Sequence, residues 1–537
     1  MAASLKMSDD KQETEIEEGA NTSTNASPRP SCLTPDRQAL ADSIMESVKA
    51  SVSKLRRGDP PTIYIVPQII RRVKEVAYEP RMVSIGPYHN GKERLQGMEE
   101  NKLLYLHSFL SRNPDHRLVD YLEAIEELKD KARSCYSEKV GPLMGNEFVK
   151  MMVLDACFIV EILLRFYPRC RKMKLVKQQR EELEQNEEDL GLISAMKKFL
   201  FHSNGFEDPI LSTIGMVYLL GCDMLLLENQ IPFFLLQHIF KMACPVKVPH
   251  LLEKMALDFF ESRSMPWNEK IEMNDSYYHL LHLFHSHLLL TPTNSKEEPN
   301  LSCIPKFKLK PNLSCIPKIK PVLNKLKNLL PCSNKAPLLN TKRRRMIPHA
   351  TDLQLAGFKF KKNEKSNNIL NVKFSHGVLE ITPFLIGDNS ETLFRNLIAF
   401  EQCRLKAKFH VFTTYLVFMD CLVNTSKDVA LLHHNGIIDN LPGSDDDVTH
   451  LFNRLCIGIF HNFKGSYLSD VKDNVQKHCE NKWNKWRASL KRDYFTNPWS
   501  FISLMAASIL LLLTITQTFF TVFPYYRPRS QFLIIMF

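Results

Sequence analysis

The sequence predicts a mainly α-helical fold with a small β-hairpin element and a single C-terminal transmembrane helix. Three observations carry this reading. Apolar residues recur at three- and four-residue spacings through most of the chain, the pattern of helices that bury one face. One stretch, residues 356–384, instead alternates apolar and polar residues. Residues 501–523 (FISLMAASILLLLTITQTFFTVF) contain no charge.

Composition narrows the function classes. The chain has 537 residues, enough for a substantial core, and only 18 are glycine. That is about half the usual share and argues against glycine-rich nucleotide-binding loops. The formal charge is +11, yet 13 Lys/Arg and two Glu between Lys296 and Arg345 account for all of it. The remainder is neutral, so no nucleic acid is expected as a partner. Thirteen cysteines are scattered without a C-x-x-C pair, and residues 1–19 are acidic with no apolar run. Reduced thiols in a cytosolic setting follow as the simpler expectation. Sequons at Asn21, Asn274, Asn300, Asn312 and Asn424 become informative only for an extracytoplasmic body.

Element by element, residues 1–35 are polar and read as disordered. The first part of the helical body is expected over 36–290, opening with a helix over 36–55 and the turn signal Gly58-Asp59-Pro60-Pro61. Residues 63–87 read as extended segments punctuated by Pro67, Pro80 and Pro87. Helices follow over 98–111, 118–134 and 145–166, and the acidic stretch 178–189 reads as a solvated face or loop. Residues 214–240 are nearly apolar enough to span a membrane, but Asp223 and Glu228 oppose it. They read as two buried helices meeting at Gln230-Ile231, with Pro232 in the first turn of the second.

Residues 291–346 form a basic, coil-rich linker with a tandem repeat, PNLSCIPKFK at 299–308 and PNLSCIPKIK at 311–320. Within it, 321–330 sets Val322, Leu326, Leu329 and Leu330 on one face among lysines, a pattern able to touch anionic lipid. A solvated loop is the plainer account. The second part of the body, 347–498, opens with the hairpin signal around Ser375-His376-Gly377 and returns to helix from Glu391. The charge-free run 501–523 is about 34 Å long as a helix, against about 30 Å of hydrocarbon. Trp499, Tyr525 and Tyr526 flank it, leaving a short tail over 524–537. Lys482, Lys485, Arg487, Lys491 and Arg492 precede the span, whereas only Arg527 and Arg529 follow it. The lipid bilayer is thus an expected partner, with the body on the cytosolic side. The membrane itself and any protein partner stay unspecified.

Several blocks together resemble a plant family catalogued as domain of unknown function 247. They are YEPRMVSIGPYH (78–89), MMVLDACFIVEILLR (151–165), DMLLLENQIPFFLL (223–236), IPHATDLQLAGFKF (347–360), RNLIAFEQC (395–403) and YLVFMDCLVNTSKDVALL (415–432). GIIDN (436–440), LFNRL (451–455) and YFTNPW (494–499) complete the series in order. The long basic linker and Ala156, where the family often has glycine, are departures. The resemblance implies a single-pass plant membrane protein and supplies no activity; a recognition or signalling role is proposed for some grass members.

Candidate chemistry is sparse. Asp155 and Glu161 lie in one apolar block and Glu228, beside Asn229, in another, while Glu401 sits in the apolar run 395–403. Buried carboxylates can serve as acid and base. They serve equally as structural partners of cations such as Lys102 and Arg165. Asp155 and Glu161 are six apart, so they do not share a helix face. His279, His282 and His285 recur every third residue, with His287 close by, in HLLHLFHSH. Zinc-binding helices prefer a spacing of four, so partly exposed helix histidines are the default, with no metal and no cofactor expected. Cys157 reads as an inert buried thiol. The leading expectation is a non-catalytic recognition or signalling component at a membrane. Its rival is a membrane-tethered enzyme using the buried carboxylates or the histidines.

Overall fold

The computed structural model describes residues 35–57, 60–138, 145–178, 208–244, 248–260, 276–289, 347–364, 366, 368–405, 409–440, 443–481 and 498–526. The expectations for the N-terminal 34 residues, the acidic stretch, the basic linker and the tail beyond 526 lie outside them.

The chain divides into a first unit, residues 1–59, of which helix α1 (Pro35–Arg57) is the described part, and a main unit, residues 60–537. In the main unit, the expected extended region contains a one-turn helix, α2 (Gln68–Arg71), and a 3-10 turn over Glu75–Tyr78. Helices α3 (Gln96–Arg112), α4 (Leu118–Ser134) and α5 (Asn146–Gln178) follow. Helix α5 is the axis of this half. Between residues 151 and 164 every position except Leu154 is buried. A helix apolar on all sides needs cover on all sides. That cover comes from α3, α4, α7 (Phe233–Ala243) and α8 (Leu251–Phe260).

The 214–240 region departs from expectation. Helix α6 (Ile214–Asp223) ends nine residues before Pro232, and Pro232 caps α7 from outside its first turn. Residues 224–232 between them are buried yet not helical. Turn bonds satisfy the amides of Met224, Leu225, Leu226 and Asn229. Asn396 takes the Leu227 N–H, and the Tyr136 and Gln230 side chains take the carbonyls of Met224, Leu226, Asn229 and Gln230, a bonding pattern that apolar periodicity does not report. Helix α9 (Leu280–Leu289) closes the half.

The second half contains α10 (Ala350–Leu355), strands β1 (Lys359–Lys362), β2 (Val372–Ser375) and β3 (Val378–Ile381), then β4 (Phe384–Ile386). Strands β2 and β3 form the antiparallel hairpin, turning at His376-Gly377, where both residues have positive φ. Strand β1 adds to β3 in parallel, giving the order β1-β3-β2. After α11 (Ser390–Arg404), α12 (Val411–Leu422) and α13 (Ser426–His434), strand β5 (Ile438–Asn440) pairs in parallel with β4. Helices α14 (Asp445–Leu455) and α15 (Ser469–Glu480) complete the body. Side chains from both halves belong to one hydrophobic core, and α11 packs on α9 and on the 3-10 turn of the first half.

The last described element, α16 (Pro498–Tyr526), includes 22 residues, Phe501–Val522, long and apolar enough to cross a membrane. None of that window is buried.

Gly86 marks a close approach of the chain to itself. Its φ is +72°, and a Cβ there would stand 2.5 Å from the Gln230 carbonyl oxygen. Gly86→Ala is therefore expected to cost about 2 kcal/mol or more in chemical denaturation. An unchanged midpoint would refute this close approach.

Candidate functional site

The segment 81–86 enters the interior, with Arg81 exposed, Met82 half-buried and residues 83–86 buried, and it has no strand partner, so its backbone groups need other bonds. Buried side chains supply them. The Asp223 carboxylate, at the end of α6, accepts the N–H groups of Arg81 (2.9 Å), Met82 (2.7 Å) and Val83 (3.0 Å). Asn229 accepts from Ile85 N–H at 2.7 Å and donates to the carbonyls of Val83 and Asp223 at 3.1 and 3.0 Å. Asp155 accepts the Gly86 N–H at 2.8 Å. Lys102 Nζ donates to Asp155 (2.6 Å), to the Ser84 carbonyl (2.6 Å) and to Glu99 (2.7 Å). Burial works against the Lys102 charge, but Asp155 and Glu99 outweigh it and raise its pKa.

Glu161, one and a half turns beyond Asp155 on α5, faces a different cluster. Arg112 binds it with both terminal nitrogens, and Arg165 Nε donates to it at 2.6 Å. Arg165 also reaches Asp208 at 3.0 Å, and the Tyr105 hydroxyl donates to the same carboxylate.

Glu228 anchors a third cluster, which opens toward the surface. It accepts the Val66 N–H at 2.7 Å and Arg71 at 3.1 Å. Arg71 Nη2 also donates to Glu79 at 2.6 Å, and Lys92 and Arg94 converge on that carboxylate at 2.6 and 2.7 Å. Burial raises the Glu79 pKa, but bonds from Lys92 and Arg71 prevail and hold it at about 2. Glu228 moves the opposite way: desolvation pushes it up despite Val66 N–H and Arg71. His89 lies between them, 3.8 Å from Glu79 and 3.6 Å from Glu228. Its ring is buried, and neither nitrogen has a hydrogen-bond partner among the described residues. Desolvation, reinforced by Lys92, depresses its pKa to about 3.

Glu401 joins the halves. It caps α12 by accepting the N–H groups of Phe412 (2.9 Å) and Thr413 (2.7 Å) and bonds His285 Nε2 of α9 at 2.8 Å.

The histidines correct an expectation. His279, His285 and His287 are buried instead of partly exposed, because α9 is enclosed between α8 and α11. His279 Nε2 faces the Thr62 carbonyl at 3.1 Å, and its Nδ1 accepts the His282 N–H at 3.2 Å. His282 Nδ1 accepts the Tyr278 N–H at 3.0 Å. The rings of His279, His282 and His285 all pack on Phe400 at 5.3 to 5.4 Å, yet no group of three metal-ligating side chains forms among the described residues.

The candidates read from the sequence thus fall into separate places: Asp155 and Asn229 around one segment, Glu161 on α5 between Arg112 and Arg165, Glu228 near the surface, Glu401 at the join. Asp223 carries the same signal as Asp155, a carboxylate inside an apolar run, and plays the same part. Arg71, Glu79 and His89 had no such signal, since they lie in polar surroundings along the chain. Cys157 is buried, which raises its thiol pKa.

A family model described as a plant protein of unknown function matches residues 63–513. The UPF0481 protein At3g47200 of Arabidopsis thaliana is 29% identical over 475 residues, 87% of each chain. A second UPF0481 protein of that plant, At3g02645, is 24% identical over 485 residues, 86% of this chain and 90% of its own. No solved structure matches.

His89 gives the fold an acid sensitivity of known sign. Between its unfolded value, 6.5, and its folded value, about 3, the unfolded chain binds a proton that the folded chain resists. Stability from this group is complete above that window and falls as pH drops through it. From about pH 7 to about pH 5, His89→Gln is expected to lose about 1–2 kcal/mol less than the parent in urea denaturation. Parallel losses in both chains would contradict it.

Proposed function

Since the chain belongs to this family of plant proteins of unknown function, we propose that it is a membrane-anchored, non-catalytic recognition or signalling component. The observation that carries the reading is α16, whose apolar side chains have no cover among the described residues. Its hydroxyls suit a lipid setting. Ser508, Thr514, Thr516, Thr518 and Thr521 each donate to the carbonyl four residues earlier, at 2.7 to 2.8 Å. Hydroxyls satisfied this way need no water.

The excess of Lys and Arg before the span favours a cytosolic body. The thiols of Cys157, Cys403, Cys421 and Cys456, outside any disulfide, agree with a reducing compartment. In this arrangement the basic segment 296–345 lies where it can meet anionic lipid or an acidic partner. The non-catalytic reading draws on the carboxylates. Asp155, Asp223, Glu161, Glu228 and Glu401 each hold backbone amides or cations of the scaffold, work that ties up the groups an acid–base mechanism would use.

In plant microsomes, the full chain is expected to resist alkaline carbonate extraction and a chain ending at residue 497 to be released. Protease added outside sealed vesicles is expected to digest the body. Release of the full chain would overturn the anchor, and protection of the body would overturn its orientation.

A further inference from the structure

Two turns of the main unit, one from each half, bring apolar side chains to the same stretch of surface. In α2, Ile70 is buried and Ile69 faces outward, 67% exposed. The chain after α14 divides its apolar residues in the same way. Ile459 packs on the core and Phe463 is buried, while Ile457 and Phe460 stand 51% and 67% exposed. The two turns touch: a Cβ on Gly458 would stand 2.9 Å from the Ile69 carbonyl oxygen and 3.5 Å from Ile69 Cγ1. The backbone of Phe460 is held on both sides, since Gln402 accepts its N–H at 3.2 Å and donates to its carbonyl at 3.0 Å. Apolar side chains set outward on a fixed backbone mark a surface that meets something other than water.

Charge and chain length identify what covers it. Residues 67–74 and 453–464 contain Arg71, Arg72, Lys74, Arg454 and Lys464 and no Asp or Glu. Glu75 borders the first stretch, while Asp447 and Asp470 lie six residues outside the second. Arg71 is neutralised by Glu79 and Glu228, and Lys74 by Glu391. Arg72, Arg454 and Lys464 are exposed and have no carboxylate partner among the described residues; Arg454 gives one nitrogen to the Val73 carbonyl. Apolar tips among unpaired cations suit an anionic lipid surface, where the tips enter the headgroup boundary and the cations stay with the headgroups. Such a surface is also within reach. The chain runs from Phe460 into α15, and the 17 residues 481–497 separate α15 from α16. A stretch of that length spans at most about 60 Å.

We propose that the turns at Ile69 and at Ile457–Phe460 form a membrane-docking face that lays the body against anionic lipid. The proposal rests on the reading of α16 as an anchor. The anchor supplies proximity, and this face determines which side of the body meets the bilayer.

The test uses the full chain reconstituted into phosphatidylcholine vesicles with and without phosphatidylserine. A benzophenone analogue of phenylalanine takes the place of Phe460 in one sample and of Leu103 in α3, 56% exposed, in another. On irradiation, lipid should be captured at 460 and not at 103, and more of it where phosphatidylserine is present. Arg72→Gln together with Lys464→Gln should lower capture in phosphatidylserine vesicles about fivefold or more. Ile69→Ser together with Ile457→Ser should lower it in both kinds of vesicle, with thermal melting of the body unmoved. Equal capture at the two positions, capture of protein in place of lipid at 460, or capture indifferent to both double variants would overturn the docking face. Carbonate extraction of the same chains keeps the two readings apart. Retained chains without lipid capture at 460 refute this face alone, whereas released chains refute the anchor on which it rests.

Discussion

A buried peptide group must find a hydrogen-bond partner, and the segment 81–86 has no strand beside it to provide one. The fold depends on how that need is met. Each amide left unpaired in the interior would cost about 1–3 kcal/mol, and five of them point inward here. Asp223, Asn229 and Asp155 take up all five. These three residues come from the end of α6, from the non-helical stretch after it and from the middle of α5. The segment is therefore the meeting point of elements distant in sequence, and Lys102 from α3 completes the enclosure. The acid groups inside the core are explained by this arrangement. Removing Asp155 would take a partner from the buried Lys102 ammonium and bare the Gly86 amide, and removing Asp223 would bare three amides at once.

The same logic joins the two halves across residues 290–346. Asn396 of α11 accepts the Leu227 N–H at 2.9 Å and donates to the Ala77 carbonyl at 2.8 Å. Glu401, five residues on, caps α12 and bonds His285. Polar side chains on one helix thereby fix both irregular segments of the first half against the second. The apolar core is continuous through this region, so the hydrogen bonds set the register of surfaces that hydrophobic burial alone would leave free to slide.

What the sequence made legible follows from the range of each interaction. Helices α3, α4 and α5 were readable because their buried faces repeat within a few residues. The β2–β3 hairpin was readable because its alternation and its turn are contiguous. The parallel pairings of β1 with β3 and β4 with β5 were not, since strands of three or four residues with distant partners leave no local signature. The non-helical stretch before Pro232 was missed for a related reason: its apolar residues suggest helix, while its backbone bonds are divided between turns and the side chains of Asn396, Tyr136 and Gln230. Carboxylates in apolar runs were a sound pointer to buried polar positions. Their partners were beyond reach, because Arg71 and Arg112 look like ordinary surface cations until folding places them. The histidines of α9 looked exposed only because the helices that cover them lie on either side of a long insertion.

The most direct test of this account is amide hydrogen exchange on the intact protein, read residue by residue across 78–90. Arg81, Met82, Val83, Ile85 and Gly86 should be protected to the level of the α5 amides, although they belong to no helix or strand. Substituting Asp223 by alanine should release the first three together. If these amides instead exchange as fast as surface loops, the segment is not held by buried side chains and the account of the core fails.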